Sequence, residues 1–202
     1  LPLVVREQLK SDFVLSRPNV GRRQIASDGT TKFLFDLRDG SNVETVYIPE
    51  GERHTFCLST QVGCPLKCSF CFSGKVRFER NLECGEIISQ FMAARNSLGT
   101  LPARSNVVFM GMGEPLLNFD AVVKSIQILT DAQGLGISPR RITLSTAGLV
   151  DEIRRFAETL PAVGIAISLH STTNKFRERI MPVNKNNPTE ELMQMARDLP
   201  LP

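Results

Sequence analysis

Cys64, Cys68 and Cys71 fall within eight residues of one another, in the run Cys64-Pro65-Leu66-Lys67-Cys68-Ser69-Phe70-Cys71. Spacings of four and three residues let a short loop curl until three thiolates converge on one object. A structural zinc ion takes four protein ligands, usually from two separated pairs, and a cubane iron–sulfur cluster normally takes four cysteines. Three thiolates would leave one iron of a cube open, and an open metal position binds substrate or cofactor. The rival reading is a zinc knuckle that recruits His54 or Cys57. Those two lie three residues apart on the preceding strand, so their side chains face opposite sides. Reduced, metal-free thiols are a third reading. Cys84, on the apolar face of the next helix, reads as a small core residue.

The composition narrows the setting. Five cysteines in 202 residues, an odd number with no secretory leader at the start, argue against a disulfide framework and for a reduced, cytoplasmic protein. Hydrophobic residues at 42% and charged residues at 22% exclude a disordered or fibrous chain, and the length suffices for a core without staples. The longest apolar runs, near 107–113 and 163–169, fall short of the ~20 residues of a membrane span, so no membrane partner is expected. A net charge of +3 does not by itself announce nucleic acid.

Those cysteines need a scaffold, and the pattern supplies one. Residues 1–20 read as the tail of a helical element. Asp28-Gly29 and Asp39-Gly40 separate short apolar runs at 24–26, 32–35 and 43–48, the signature of a small antiparallel meander. Strand–helix alternation follows: strands at 54–60, 106–111, 141–146 and 163–169, and helices at 84–97, 119–133, 149–159 and, after a basic loop, 188–198. Asn187-Pro188-Thr189-Glu190 gives the last helix a capping side chain and then proline. Continuous apolar strands such as Val107–Met110 suit a parallel sheet covered by helices. The fold class expected is α/β: a partial barrel of about four βα units behind a small β element, with segments 1–22 (helical), 23–50 (meander) and 51–202 (barrel). Ligands collect at the C-terminal edge of such sheets. There the chain places the cysteine loop, Gly111-Met112-Gly113-Glu114-Pro115, Ser145-Thr146-Ala147-Gly148 and Ser168-Leu169-His170-Ser171, which points to one shared site.

C-x3-C-x-aromatic-C after the first strand and Gly-Glu-Pro after the second resemble the radical S-adenosylmethionine (SAM) enzymes. Longer strings are similar to the RlmN/Cfr family of RNA methyltransferases, and most of all to its adenine-C2 branch. They are Val43–Pro49, Cys57–Cys64, Gly111–Asn118, Leu144–Gly148 and Ala166–His170, with Asn81-Leu82 and Pro182–Lys185 also fitting. The resemblance runs from about residue 24 to the end. It implies that Cys64, Cys68 and Cys71 hold a [4Fe–4S] cluster whose open iron takes the SAM amino and carboxylate groups. Gly113 and Glu114 would meet the SAM amino group, and Ser145, Ser168, Leu169 and His170 would contact the rest, with Phe70 at the cluster pocket. SAM would be cleaved to methionine and a 5′-deoxyadenosyl radical. A methyl group would pass through a methyl-cysteine to adenine C2 of 23S rRNA and tRNA. Glu44 matches the base that removes the adenine proton, and Cys57 the cysteine that resolves the protein–RNA adduct as a disulfide.

The same resemblance implies RNA and an external electron donor such as a flavodoxin or ferredoxin as partners, for a monomer. Lys75, Arg77 and Arg80 after the cysteine loop, and Lys175, Arg177, Arg179 and Lys185 after the fourth strand, would meet phosphates; a scatter of solvated charges is the plainer alternative. The family's methyl-carrying cysteine lies beyond the matched region and no cysteine follows Cys84. The chain is therefore expected to be an internal fragment that binds a cluster without completing turnover. C8 methylation of adenine and a non-catalytic, zinc-stabilised nucleic-acid module stay open as alternatives.

Overall fold

Asp-Gly turns shape the first half of the fold. Gly29 and Gly40 take φ of 84° and 85°, which glycine adopts without steric cost, and the Asp28 and Asp39 carboxylates accept the amides of Thr30 and Ser41. The structure, a computed structural model, describes residues 2–12, 18–98 and 104–199. Within them α1 (Leu3–Asp12) buries no residue, and the turns join β1 (Asn19–Ile25), β2 (Thr31–Asp36) and β3 (Asn42–Glu50) into the expected meander. The part of segment 1–22 that spans 13–17 lies outside the described residues.

β4 (Arg53–Cys57) pairs antiparallel with β3. A two-stranded ribbon, β5 (Gln61–Val62) and β6 (Arg80–Asn81), closes the neck of the cysteine loop, and α2 (Cys84–Asn96) follows. Then come β7 (Ser105–Phe109), α3 (Phe119–Thr130), β8 (Ile142–Thr146), α4 (Val150–Thr159) and β9 (Gly164–Ile167). β4, β7, β8 and β9 are mutually parallel. One seven-stranded sheet results, in the order β1-β2-β3-β4-β7-β8-β9. Meander and parallel strands therefore share a sheet, with β4 as the strand where direction changes.

The two faces of this sheet differ. Phe33, Phe35, Val43, Tyr47, Phe56, Val107, Phe109, Ile142 and Leu144 are buried on one face. They form one core with Ile87 and Phe91 of α2, Ile126 and Leu129 of α3, and Ile153 and Phe156 of α4. The alternate residues Leu34, Glu44, Val46, Cys57, Val108, Thr143 and Ser145 are half-buried on the other face, as period-2 alternation requires. Helices on one face only make this the wall of a partial barrel rather than a doubly wound sheet.

β1 starts five residues before the apolar run expected at 24–26. From β4 onward element ends differ from the sequence expectation by at most three residues, mostly because strands stop early, as residues past Cys57 and Phe109 leave the ladder to build loops. The basic stretch expected as a loop instead holds α5 (Asn174–Ile180) and a 3₁₀ turn, Pro182–Lys185, before α6 (Thr189–Asp198). Burial of Arg177 and Met181 anchors that helix. Asn187 does not cap α6: its side chain accepts the Val150 amide at 2.8 Å, the first amide of α4. Cys84 opens α2 half-buried, outside the core.

Candidate active site at the strand ends

The run that leaves β4 is buried from Leu58 to Gly63, and side-chain amides from neighbouring elements hold it. Gln90 of α2 accepts from Thr45 Oγ1 at 2.8 Å and from the Ser59 amide at 3.0 Å, and donates to the Ser59 carbonyl at 3.0 Å. Asn118 donates to the carbonyls of Thr60 and Leu82. Gln61 donates to Asn81 Oδ1 and accepts the Glu114 amide at 2.8 Å. These bonds satisfy main-chain groups that strand pairing abandons. Gly63, with φ of 75°, then turns the chain into the cysteine loop.

Cys64, Cys68 and Cys71 are each partly exposed and lie within reach of one another's charge. Burial pushes the Cys68 thiol up to about 11, and Cys64, Cys71 and Glu114 add to the rise while Arg177 opposes it. Burial also raises Cys64, with Glu114 and Cys71 contributing. Cys64 and Cys68 are thus protonated at neutral pH when free, and metal loading must displace their protons. The loop is tied down from both ends: the Ser69 amide donates to the Ile180 carbonyl at 2.9 Å and the Glu79 amide to Val62 at 3.0 Å. Phe70, half exposed, stacks on His170 with ring centroids 4.4 Å apart, so the cysteine loop touches the end of β9.

Glu114 is 3% exposed. One carboxylate oxygen accepts the Leu116 amide at 3.2 Å and the other the Ala147 amide at 2.7 Å, so Glu114 laces the end of β7 to the end of β8. Burial raises its carboxyl, and the bonds from Ala147, Thr146 and Leu116 oppose the rise. Gly113 has φ of 101°, and a Cβ there would meet the Gln61 side chain at 2.6 Å. His170 also takes a positive φ, 54°; the Ser168 amide donates to the Thr146 carbonyl and Leu169 is half-buried.

On the open face of the sheet, Cys57 pairs with Val46, which puts Glu44 one diagonal away. Ser145 stands on the same face beside Ala166. Glu44 is ion-paired to Lys32 at 2.9 Å, both being about two-fifths exposed. Burial pushes the Cys57 thiol up to about 11, and the Met110 main chain opposes this. The nine strand-end and loop positions and the Glu44–Cys57 pair therefore border one side of the fold.

Residues 58–202 match the family model described as the radical SAM superfamily. The chain belongs to the radical SAM superfamily. It is 46% identical over all of its length to a dual-specificity RNA methyltransferase RlmN of Syntrophobacter fumaroxidans, covering 59% of that protein. It is 47% identical over 97% of its length to an RlmN of Rhodospirillum rubrum, covering 47% of it. A crystal structure of a radical SAM methyltransferase from Sphaerobacter thermophilus superposes with a TM-score of 0.90 at 38% identity, over 98% of this chain and 58% of that one. The chain thus spans about half the length of the curated relatives it matches.

Radical SAM methyltransferases use a [4Fe–4S] cluster and SAM, and the residues present fit both. Three soft thiol ligands share one loop, the donor type of an iron–sulfur cluster. Glycines at 111 and 113, where a Cβ would strike Ser59 and Gln61, let the end of β7 pack directly on the run that leads into the cysteine loop.

Two of the basic residues expected to meet phosphate do not face solvent freely. Arg177 has no accessible surface. Arg80 is held by Glu86 through two bonds of 2.7 and 2.8 Å and by Asp39 at 2.6 Å. Lys75, Arg77, Lys175, Arg179 and Lys185 are exposed. Sequence reasoning also passed over Gln61, Gln90 and Asn118, whose one outward sign was polarity at positions where neighbours are apolar. No helix among the described residues is long and apolar enough to cross a membrane.

Proposed function

We propose that the chain carries the radical SAM site of a cytoplasmic RNA methyltransferase that methylates C2 of adenosine in 23S rRNA and tRNA by way of a methyl-cysteine. The reading is carried by the meeting of three thiols, Glu114 and the ends of β8 and β9 at one edge, in a chain similar along its whole length to proteins named dual-specificity RNA methyltransferases. Cys64, Cys68 and Cys71 hold the cluster. Gly113 and Glu114 meet the SAM amino group, and Ser145, Ser168, Leu169 and His170 border the remainder. When bound, these groups supply a one-electron cleavage of the sulfonium and a transferable methyl group; a flavodoxin- or ferredoxin-type donor supplies the electron.

The chain's own residues do the rest. Glu44, half-exposed on the open face, accepts the adenine proton once the base lies within hydrogen-bond reach. Cys57, one diagonal away on that face, resolves the protein–RNA adduct. Its raised thiol keeps it protonated and unreactive until a base draws near. Exposed Lys75, Arg77, Lys175, Arg179 and Lys185 contact the RNA backbone.

Anaerobic reconstitution with iron and sulfide tests the metal assignment. The expected product is a brown chain with about four irons. Alanine at Cys64, Cys68 or Cys71 abolishes uptake, whereas alanine at Cys84 does not. A colourless chain holding one zinc refutes the reading and supports the nucleic-acid module. Co-chromatography of the methyltransferase's product nucleoside with 2-methyladenosine and 8-methyladenosine standards separates C2 from C8 methylation, and a C8 product overturns the regiochemistry alone.

A further inference from the structure

Among the described residues Arg177 is the largest fully buried side chain, and it forms no ion pair there. Its donors all end on neutral oxygens. Nε reaches the Leu169 carbonyl at 3.0 Å. One terminal nitrogen reaches Asn184 Oδ1 at 2.7 Å and the Asn187 carbonyl at 3.5 Å; the other reaches the Ala147 carbonyl at 2.5 Å and that of Ser168 at 3.4 Å. A guanidinium can be solvated by carbonyls in this way, but its charge stays uncompensated, and a buried charge without a counter-charge is expensive. A fold keeps such a charge where something negative faces it. Here that is the cysteine loop: α5 delivers its last carbonyl, Ile180, to the Ser69 amide inside the loop at 2.9 Å, and Cys68, once metal displaces its proton, becomes a negative charge that favours the Arg177 cation.

The surroundings are built for this residue. Gly148 has φ of 100°, and a Cβ there would stand 3.1 Å from the guanidinium. Ala147 is clamped from two sides, its amide on Glu114 and its carbonyl on Arg177. Asn184 is itself held, donating to Asn174 Oδ1 at 2.9 Å. Arg177 thus fixes the ends of β8 and β9 together, the same strand ends that border SAM in the proposed function.

We propose that Arg177 is a positioning residue whose buried charge balances the three-thiolate site and makes a cluster held there easier to reduce. This rests on the cluster assignment proposed above. Three thiolates outweigh the charge of an oxidised cubane core, and reduction adds one electron from a low-potential one-electron donor with no bond made or broken. A fixed cation nearby favours the reduced form, since cluster potential follows local charge and hydrogen bonding. A buried stitch without an electrostatic role would hold the strand ends and leave the potential unmoved.

The test reads the reduced-to-oxidised ratio by electron paramagnetic resonance of the reconstituted chain at a fixed poised potential, alongside iron and sulfide content. Arg177→Gln is expected to lower the ratio about tenfold, or ~59 mV for a one-electron couple, while Arg177→Lys keeps it near the parent value. Asn184→Asp serves if Arg177→Gln does not fold. It places a carboxylate on the guanidinium at the existing 2.7 Å contact, neutralising the charge while keeping the Arg177 bonds to the strand ends, although the donation to Asn174 Oδ1 is lost, and is expected to lower the ratio in the same direction. A loaded Asn184→Asp or Arg177→Gln chain with an unchanged ratio overturns the inference and leaves the cluster assignment standing. Failure of the parent chain to take up iron overturns both.

Discussion

Gly63→Ala isolates the turn that feeds the chain into the cysteine loop. At φ of 75° an alanine pays the left-handed backbone penalty of about 1–2 kcal/mol. Its methyl carbon would also fall within the contact radius of the Arg77 carbonyl oxygen and 2.7 Å from the carbonyl carbon. Main chain cannot yield as a flexible side-chain tip can, so an overpacking cost of about 1–3 kcal/mol is added. The total of about 2–5 kcal/mol corresponds to a fall in Tm of about 4–20 °C at about 2–4 °C per kcal/mol for a chain of this size. Gly40→Ala is the matched control. Its φ is 85° and nothing lies within 4 Å of the added carbon, so it carries the backbone penalty alone. Thermal unfolding of both variants and iron content after anaerobic reconstitution are the measurements. Gly63→Ala should melt below Gly40→Ala and take up less iron, because relieving the clash moves 76–78 against 62–64. Equal melting temperatures with full iron uptake would refute the argument that the Arg77 carbonyl fixes this turn.

Other outcomes follow from the same contacts. Gln90→Leu strips partners from Thr45 Oγ1 and from both main-chain groups of Ser59. Unsatisfied buried groups cost about 1–3 kcal/mol each, so a loss of about 3 kcal/mol in urea unfolding is expected, and a loss under about 0.5 kcal/mol would show that the network relaxes. Asp39 is held well below the usual carboxylate range by its bond from Arg80 and by the Ser41 amide. Because its folded value is depressed, its contribution is present above pH ~4 and lost as pH falls through the folded value; the stability gap between the parent and Asp39→Asn should shrink on acidification below pH 4, and a constant gap would exclude the linkage. Replacing Lys75, Arg77 and Arg179 by Ala should reduce the slope of log affinity for RNA against log salt by about 2, at about 0.7 per phosphate contact on a single strand, whereas Arg177 is too buried to contribute.

Much of this arrangement is readable from residue order. Asp-Gly pairs placed the turns, and small residues after each parallel strand marked the edge where the loops gather. What escaped was anything that depended on a distant partner. Arg177 stands in a polar stretch that looks solvated; its acceptors come from residues as far as thirty positions away at the ends of other strands. Arg80 is neutralised by Asp39 from the preceding meander and by Glu86 in the first turn of α2. Asn187 has the local look of a cap for its own helix, yet α4 competes for the same oxygen and wins. The union of meander and parallel strands was equally silent, because β4 carries no mark of pairing differently on its two edges.

Gln90 touches no candidate ligand position, yet it holds Thr45, next to Glu44, and Ser59, five residues before Cys64. One amide on a helix of the covered face is thereby a ruler laid between the proposed proton acceptor and the proposed metal loop. Evolution or engineering that shifts α2 by a single turn would change both ends of that measure together, so a helix that supplies none of the proposed ligands is still not free to drift.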